Sequence, residues 1–87
     1  MKNLTTVMGE EINRGITEMY MDALQEDNTE KITFKLKQLE KTANMVFNKL
    51  LQNAITLDDA NYLNNRVTKA YIVVKKHLDF INDYKEM

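Results

Sequence analysis

Two stretches of the chain carry apolar residues in an unbroken alternation of four-residue and three-residue steps. Ile32, Leu36, Leu39, Ala43, Val46 and Leu50 form the first, and Ala60, Leu63, Val67, Ala70, Val74 and Ile81 form the second, with His77 in its open place. Such spacing gathers the apolar side chains into one stripe along an α-helix. Few residues interrupt it, because the chain has no Pro and only two Gly while Leu, Lys, Glu and Met are frequent, a composition that favours an all-α fold. The expected architecture is a short N-terminal helix followed by a long antiparallel helical hairpin, three helices in a single domain over residues 1–87.

Local signals set the expected boundaries. Met8, Ile12, Ile16, Met19 and Ala23 recur at helical spacing and predict a first helix over residues 6–25, with Glu10 and Glu11 favourably placed in its early turns. Gly9 and Gly15 weaken it by roughly 0.5–1 kcal/mol each relative to Ala, and close helix approach would account for them. The polar run Gln25-Glu26-Asp27-Asn28 ends this segment, and Asn28 or Thr29 can cap a second helix over residues 30–53. Thr56 and Asp59 have the spacing of a capping box at the start of a third helix over residues 57–84, flanked by Ile55 and Ala60 as a small staple. That helix would be roughly 40 Å long, more than the first helix can cover.

Phe34, Met45, Phe47 and Leu51 widen the apolar side of the second helix beyond its seam, and Leu78, Phe80, Ile81 and Tyr84 mark the uncovered end of the third. A chain of 87 residues buries only about 60% of its unfolded surface, so these faces make self-association the expected state. The end of the third helix is a candidate surface for another copy or for a protein partner.

Charge is unevenly spread about a net −1. Residues 1–28 carry Lys2 and Arg14 against Glu10, Glu11, Glu18, Asp22, Glu26 and Asp27, whereas residues 29–56 carry Lys31, Lys35, Lys37, Lys41 and Lys49 against Glu30 and Glu40. Residues 57–87 balance. The acidic first helix and basic second helix suit one another as neighbours, although each exposed pair is worth only about 0–1 kcal/mol.

Several chemistries find no residues to support them. Without Cys there is no disulfide framework or thiolate metal site, and no zinc, EF-hand or phosphate-loop pattern occurs. His77 reads as a hydrogen-bonded seam residue rather than an acid–base catalyst, since no nucleophile accompanies it. Asp58 and Asp59 point about 100° apart on a helix and so form no facing carboxylate pair; Asp59 reads as a cap. No enzyme activity and no cofactor are expected. A sequence pI near 5.8 argues against duplex DNA, and the absence of a long apolar run or of an apolar leader in Met1–Met8 leads to the expectation of a cytoplasmic chain without membrane contact.

The basic residues are the remaining candidates. Lys31 and Lys35 lie one turn apart where free helix N–H groups face an anion, with Thr33 between them; the alternative is a solvated face paired with the acidic first helix. Arg66 and Lys69 form a second basic set, and Tyr20, Tyr62 and Tyr71 offer ring faces for stacking or for packing.

The run Glu30-Lys31-Ile32-Thr33, then Leu36-Lys37-Gln38-Leu39-Glu40-Lys41-Thr42-Ala43 and Asn48, resembles the helical hairpin of phage counter-defence sponges that sequester cyclic oligonucleotide signals of CBASS and Thoeris immunity. The resemblance covers about 25 residues. It implies an oligomeric, non-enzymatic protein whose Lys31 and Thr33 help hold the ligand, with Tyr20 stacking on a base. The expected function is therefore sequestration of a cyclic di- or trinucleotide by a homo-oligomer through Tyr20, Lys31, Thr33, Lys35 and Arg66. The alternative is a small helical inhibitor or adaptor that docks a host or phage enzyme through Leu78, Phe80, Ile81 and Tyr84.

Overall fold

A computed structural model describes residues 4–86, so Lys2 of the acidic first segment lies outside the described residues. The described chain forms three α-helices and no strand: α1 (Val7–Gln25), α2 (Thr29–Leu51) and α3 (Leu57–Glu86). No helix among the described residues is long and apolar enough to cross a membrane.

Each helix starts at a side-chain cap. The Thr6 hydroxyl accepts the Gly9 N–H at 3.0 Å, Asn28 Oδ1 accepts the Lys31 N–H at 3.1 Å, and the Thr56 hydroxyl accepts the Asp59 N–H at 3.1 Å. Each satisfies one of the amides that a helix start leaves without an internal partner. α2 stops at Leu51 because Asn53 takes a left-handed conformation (φ 60°), which Asn tolerates, and the Ala54 N–H then returns to the Lys49 carbonyl at 2.9 Å.

One core holds the three helices together. Ile12, Ile16 and Ala23 of α1 meet Ile32, Leu36, Leu39 and Val46 of α2 and Ala60, Leu63, Val67, Ala70, Val74 and Leu78 of α3. Ile55 joins them just ahead of α3.

The buried stripes shift from the expected ones on α2 and on α3, and Leu50 at the end of the α2 stripe is half-buried. On α2 the core position is Thr42, only 8% exposed, while Ala43 is half-buried. The Thr42 hydroxyl is satisfied by donating to the Gln38 carbonyl at 2.8 Å, which lets a polar residue take a seam position. On α3 the stripe passes from Val74 to Leu78, and the five steps from Ala60 to Leu78 then average 3.6 residues. That is the period of a straight helix, from which a 3.5-residue repeat drifts by about 20° per heptad. Leu78, expected on an uncovered surface, is therefore core, Ile81 is half-buried, and His77 sits at the seam's edge. The widened face of α2 is left in solvent, with Phe34 and Phe47 each 57% exposed and Leu51 65%.

The polar contacts fix how α1 lies. Thr5 and Thr6 meet Asp59, Asn13 and Thr17 meet Arg66, and the Glu26 carbonyl meets His77, so α1 and α3 advance in the same direction. Against α2 the order reverses, with Asp22 near Lys35 and Met19 near Thr42.

Asp59, expected to act as a cap, is instead the residue that Thr56 caps. Its amide is the capped group, and its fully buried carboxylate reaches across to the segment that opens α1. It accepts the Thr5 N–H at 2.9 Å, the Thr5 hydroxyl at 3.0 Å, the Thr6 N–H at 3.1 Å and the Thr6 hydroxyl at 2.6 Å. The reciprocal half of a capping box is thus replaced by a long-range latch. Burial by itself pushes the Asp59 pKa up, but the bonds from the Thr6 hydroxyl, Thr5 amide, Thr5 hydroxyl and Thr6 amide outweigh it and hold the carboxyl below its ordinary range. Gly9 belongs to this latch, since a Cβ there would lie 2.7 Å from Asp59 Oδ2. Gly15 has no such reason, because nothing lies within 4 Å of where its Cβ would be.

Candidate functional site

α1 forms one wall of two grooves with opposite electrostatic character. Tyr20 faces α3, and together with Tyr62, Arg66, Lys69, Ala70 and Val73 it lines a groove of about 410 Å³. Helical spacing explains the α3 side: 62, 66, 69 and 73 follow one another at four, three and four residues, flanking the buried 63, 67, 70 and 74. The lining contains two cationic side chains, two tyrosines and no carboxylate.

Arg66 is anchored at one nitrogen of its guanidinium head. Its Nη1 donates to the Asn13 side-chain oxygen and, at 3.0 Å, to the Thr17 hydroxyl. The Thr17 hydroxyl spends its own hydrogen on the Asn13 carbonyl at 3.2 Å, so a lone pair is left to face the guanidinium. Both acceptors are neutral. They position the Arg66 head without cancelling its charge, as a carboxylate would.

The second groove, about 560 Å³, lies between α1 and the start of α2. Lys31 and Lys35 line it together with Phe34, but so do Asp22, Glu26 and Glu30. Lys35 stands 3.9 Å from Asp22, an ion pair with both partners partly in solvent. Three carboxylates against two ammonium groups make this a poor place for an anion, and the paired reading fits the geometry of Lys35. Thr33 lines neither groove; its exposed hydroxyl donates to the Thr29 carbonyl at 2.8 Å, one turn back on its own helix.

The expected ligand residues are therefore divided. Tyr20 and Arg66 come together, Lys31 and Lys35 come together, and the two pairs lie on opposite sides of α1. Tyr62 and Lys69, which the sequence offered only as secondary candidates, complete the first groove. A signal for it exists in the sequence: residues 60–78 hold Arg66, Lys69, Lys75 and Lys76 and no Asp or Glu. A segment count hides this, because Asp58, Asp59, Asp79, Asp83 and Glu86 bracket the stretch and bring the whole segment to balance.

The other candidates fall into plainer roles. His77 Nε2 bonds the Glu26 carbonyl at 2.8 Å; a carbonyl only accepts, so this nitrogen carries the proton. The Tyr71 hydroxyl donates to Glu40 at 3.2 Å on the surface between α2 and α3. Phe80 and Tyr84, 67% and 73% exposed, stack with ring centroids 6.5 Å apart. They line a shallow pocket with Ile81 beside the turn at Asp27 and Asn28. Among the described residues no group of three or more His, Asp or Glu side chains is placed so that it could hold a metal ion.

Comparisons of the chain with protein-family models, with curated proteins and with solved structures returned no match.

Proposed function

We propose that the chain is a non-enzymatic binding protein that holds a cyclic oligonucleotide in the groove between α1 and α3. The observation that carries this reading is the groove's lining, two cations and two tyrosines without a carboxylate. Phosphates pair with Arg66 and Lys69, and a base stacks on Tyr20 or Tyr62, the combination by which sequence-tolerant nucleotide sites work. The resemblance of residues 30–48 to phage sponges supports the same ligand class and a counter-defence role, with an antiparallel hairpin of α2 and α3 as the scaffold. The site rests on Tyr20 and Arg66 of the expected set; Lys31, Thr33 and Lys35 have no part in it. The exposed Phe47 and Leu51, one turn apart on α2, and the exposed Phe34 nearer its start support assembly into a homo-oligomer, in which a second copy would cover them.

Titration calorimetry with a panel of cyclic di- and trinucleotides tests the proposal. It expects micromolar or tighter binding of at least one, lost in Arg66→Glu and kept in Lys31→Ala; no heat across the panel removes the reading. Native mass spectrometry of the protein as purified from cells reads subunit number and any retained ligand together.

A second reading is favoured by the stacked, exposed Phe80 and Tyr84. Under it the end of α3 docks a partner enzyme as an inhibitor would. Co-purification of one stoichiometric partner, abolished by Phe80→Asp, supports it, and recovery of the chain alone does not.

A further inference from the structure

The way Arg66 is held says which kind of anion the groove takes. Nη1 uses its hydrogens on Asn13 and Thr17, which leaves the opposite edge, formed by Nε–H and Nη2–H. Neither of those nitrogens is buried without a partner, so this edge is not sealed inside the protein, and Arg66 is one of the residues that line the groove. Nε–H and Nη2–H are parallel donors at the spacing of two oxygens of one tetrahedral anion. Lys69, one turn along the same face, brings a second positive charge to the same space.

We infer that Asn13 and Thr17 are positioning residues that turn the side-on edge of Arg66 into a preset two-point receptor for a phosphate group. The inference rests on the proposed ligand groove but concerns its phosphate rather than its base. An unheld arginine would spend binding energy on freezing its rotamers, and here two neutral acceptors on α1 have already done so. Because the acceptors are neutral, the full charge of the guanidinium remains for the ligand. Arg66→Lys would keep the charge and lose the fork.

The chain carries a built-in control, since Arg14 and Arg66 are its two arginines and Arg14 is exposed. Arginine Nε–H resonances of the ¹⁵N-labelled full chain can be followed while inorganic phosphate is titrated against chloride at constant ionic strength. The expected result is a saturable shift of the Arg66 signal with little movement of Arg14. In Asn13→Ala/Thr17→Val, with helix content checked by circular dichroism, the Arg66 response falls to that of Arg14; in Arg66→Lys, phosphate binding read from backbone amides of the groove weakens by about tenfold or more. Equal responses of the two arginines in the wild type overturn the inference, as does an Arg66 response unchanged in the double variant. A clear Arg66 response in a chain that binds no cyclic oligonucleotide upholds the fork while discarding the nucleotide reading. Cyclic-oligonucleotide binding with no selective Arg66 response discards the fork alone.

Discussion

The two grooves beside α1 carry nearly the same functional groups and differ in their neighbours. Each has two cations and at least one aromatic ring: Arg66 and Lys69 with Tyr20 and Tyr62 on one side, Lys31 and Lys35 with Phe34 on the other. On the α3 side α1 supplies Tyr20 to the wall and holds Arg66 with an amide and a hydroxyl; on the α2 side Asp22 and Glu26 line the groove, with Glu30 added from α2 itself. The first arrangement leaves charge available and the second neutralises it. A run of lysines is thus no guide to an anion site until the facing helix is known.

The grooves also differ in how firmly α1 bounds them. Toward α3 it is tied by Asp59, by Arg66 and by His77 at successive levels. Toward α2 the polar ties are the 3.9 Å Lys35–Asp22 pair and a 4.0 Å contact of the Thr42 hydroxyl with the Met19 sulfur. The apolar core packs α1 against both helices, and most of its polar ties lie on the α3 side.

Removing the latch should produce the largest effect. Asp59→Ala strands the Thr5 and Thr6 amides and is expected to cost about 2–4 kcal/mol in urea unfolding, with amide protection lost in α1 before α3. The same latch sets a pH dependence. The folded Asp59 pKa lies below its unfolded value of about 3.9, so its contribution is fully present above that value and is lost as pH falls through the folded pKa. Asp59→Asn should flatten this acid limb, and an unchanged limb would show that the latch does not hold α1.

Reversing one charge tests the groove itself. Arg66→Glu should weaken cyclic-oligonucleotide binding at least about 100-fold, equivalent to about 2.7 kcal/mol, by calorimetry. The two glycines come next and should move in opposite directions. Gly9→Ala drives a methyl against a carboxylate held by several bonds and should cost about 1–2 kcal/mol despite its better helix propensity, whereas Gly15→Ala should gain about 0.5–1 kcal/mol. Thermal unfolding of both variants reads the contrast. Smallest of all, Lys31→Ala/Lys35→Ala should change stability by less than about 1 kcal/mol and binding by less than threefold, since these lysines already share their groove with carboxylates. A large loss of binding there would erase the distinction between the grooves.

What could be read along the chain was what neighbours in sequence decide. Three helices, their ends within a few residues, and the caps at Asn28 and Thr56 followed from apolar spacing and from hydrogen bonds spanning three residues. The apolar stripes were legible to within one position, because helix period is a local property; the shifts to Thr42 and Leu78 came from how the helices lie against one another. Asp59 shows where this reading stops. Its spacing from Thr56 marks a cap, yet its carboxylate serves residues 53 and 54 positions away, and only folding brings those donors to it. Lys31 and Arg66 show the same limit in the candidate site. In sequence both are cations near hydroxyl-bearing residues, and they differ locally in that Lys31 follows Glu30 whereas Arg66 lies in a stretch, residues 60–78, without Asp or Glu. Which of them keeps an uncompensated charge was decided by the groups that the fold brings next to each, since electrostatic compensation falls with distance in space and takes no account of distance along the chain.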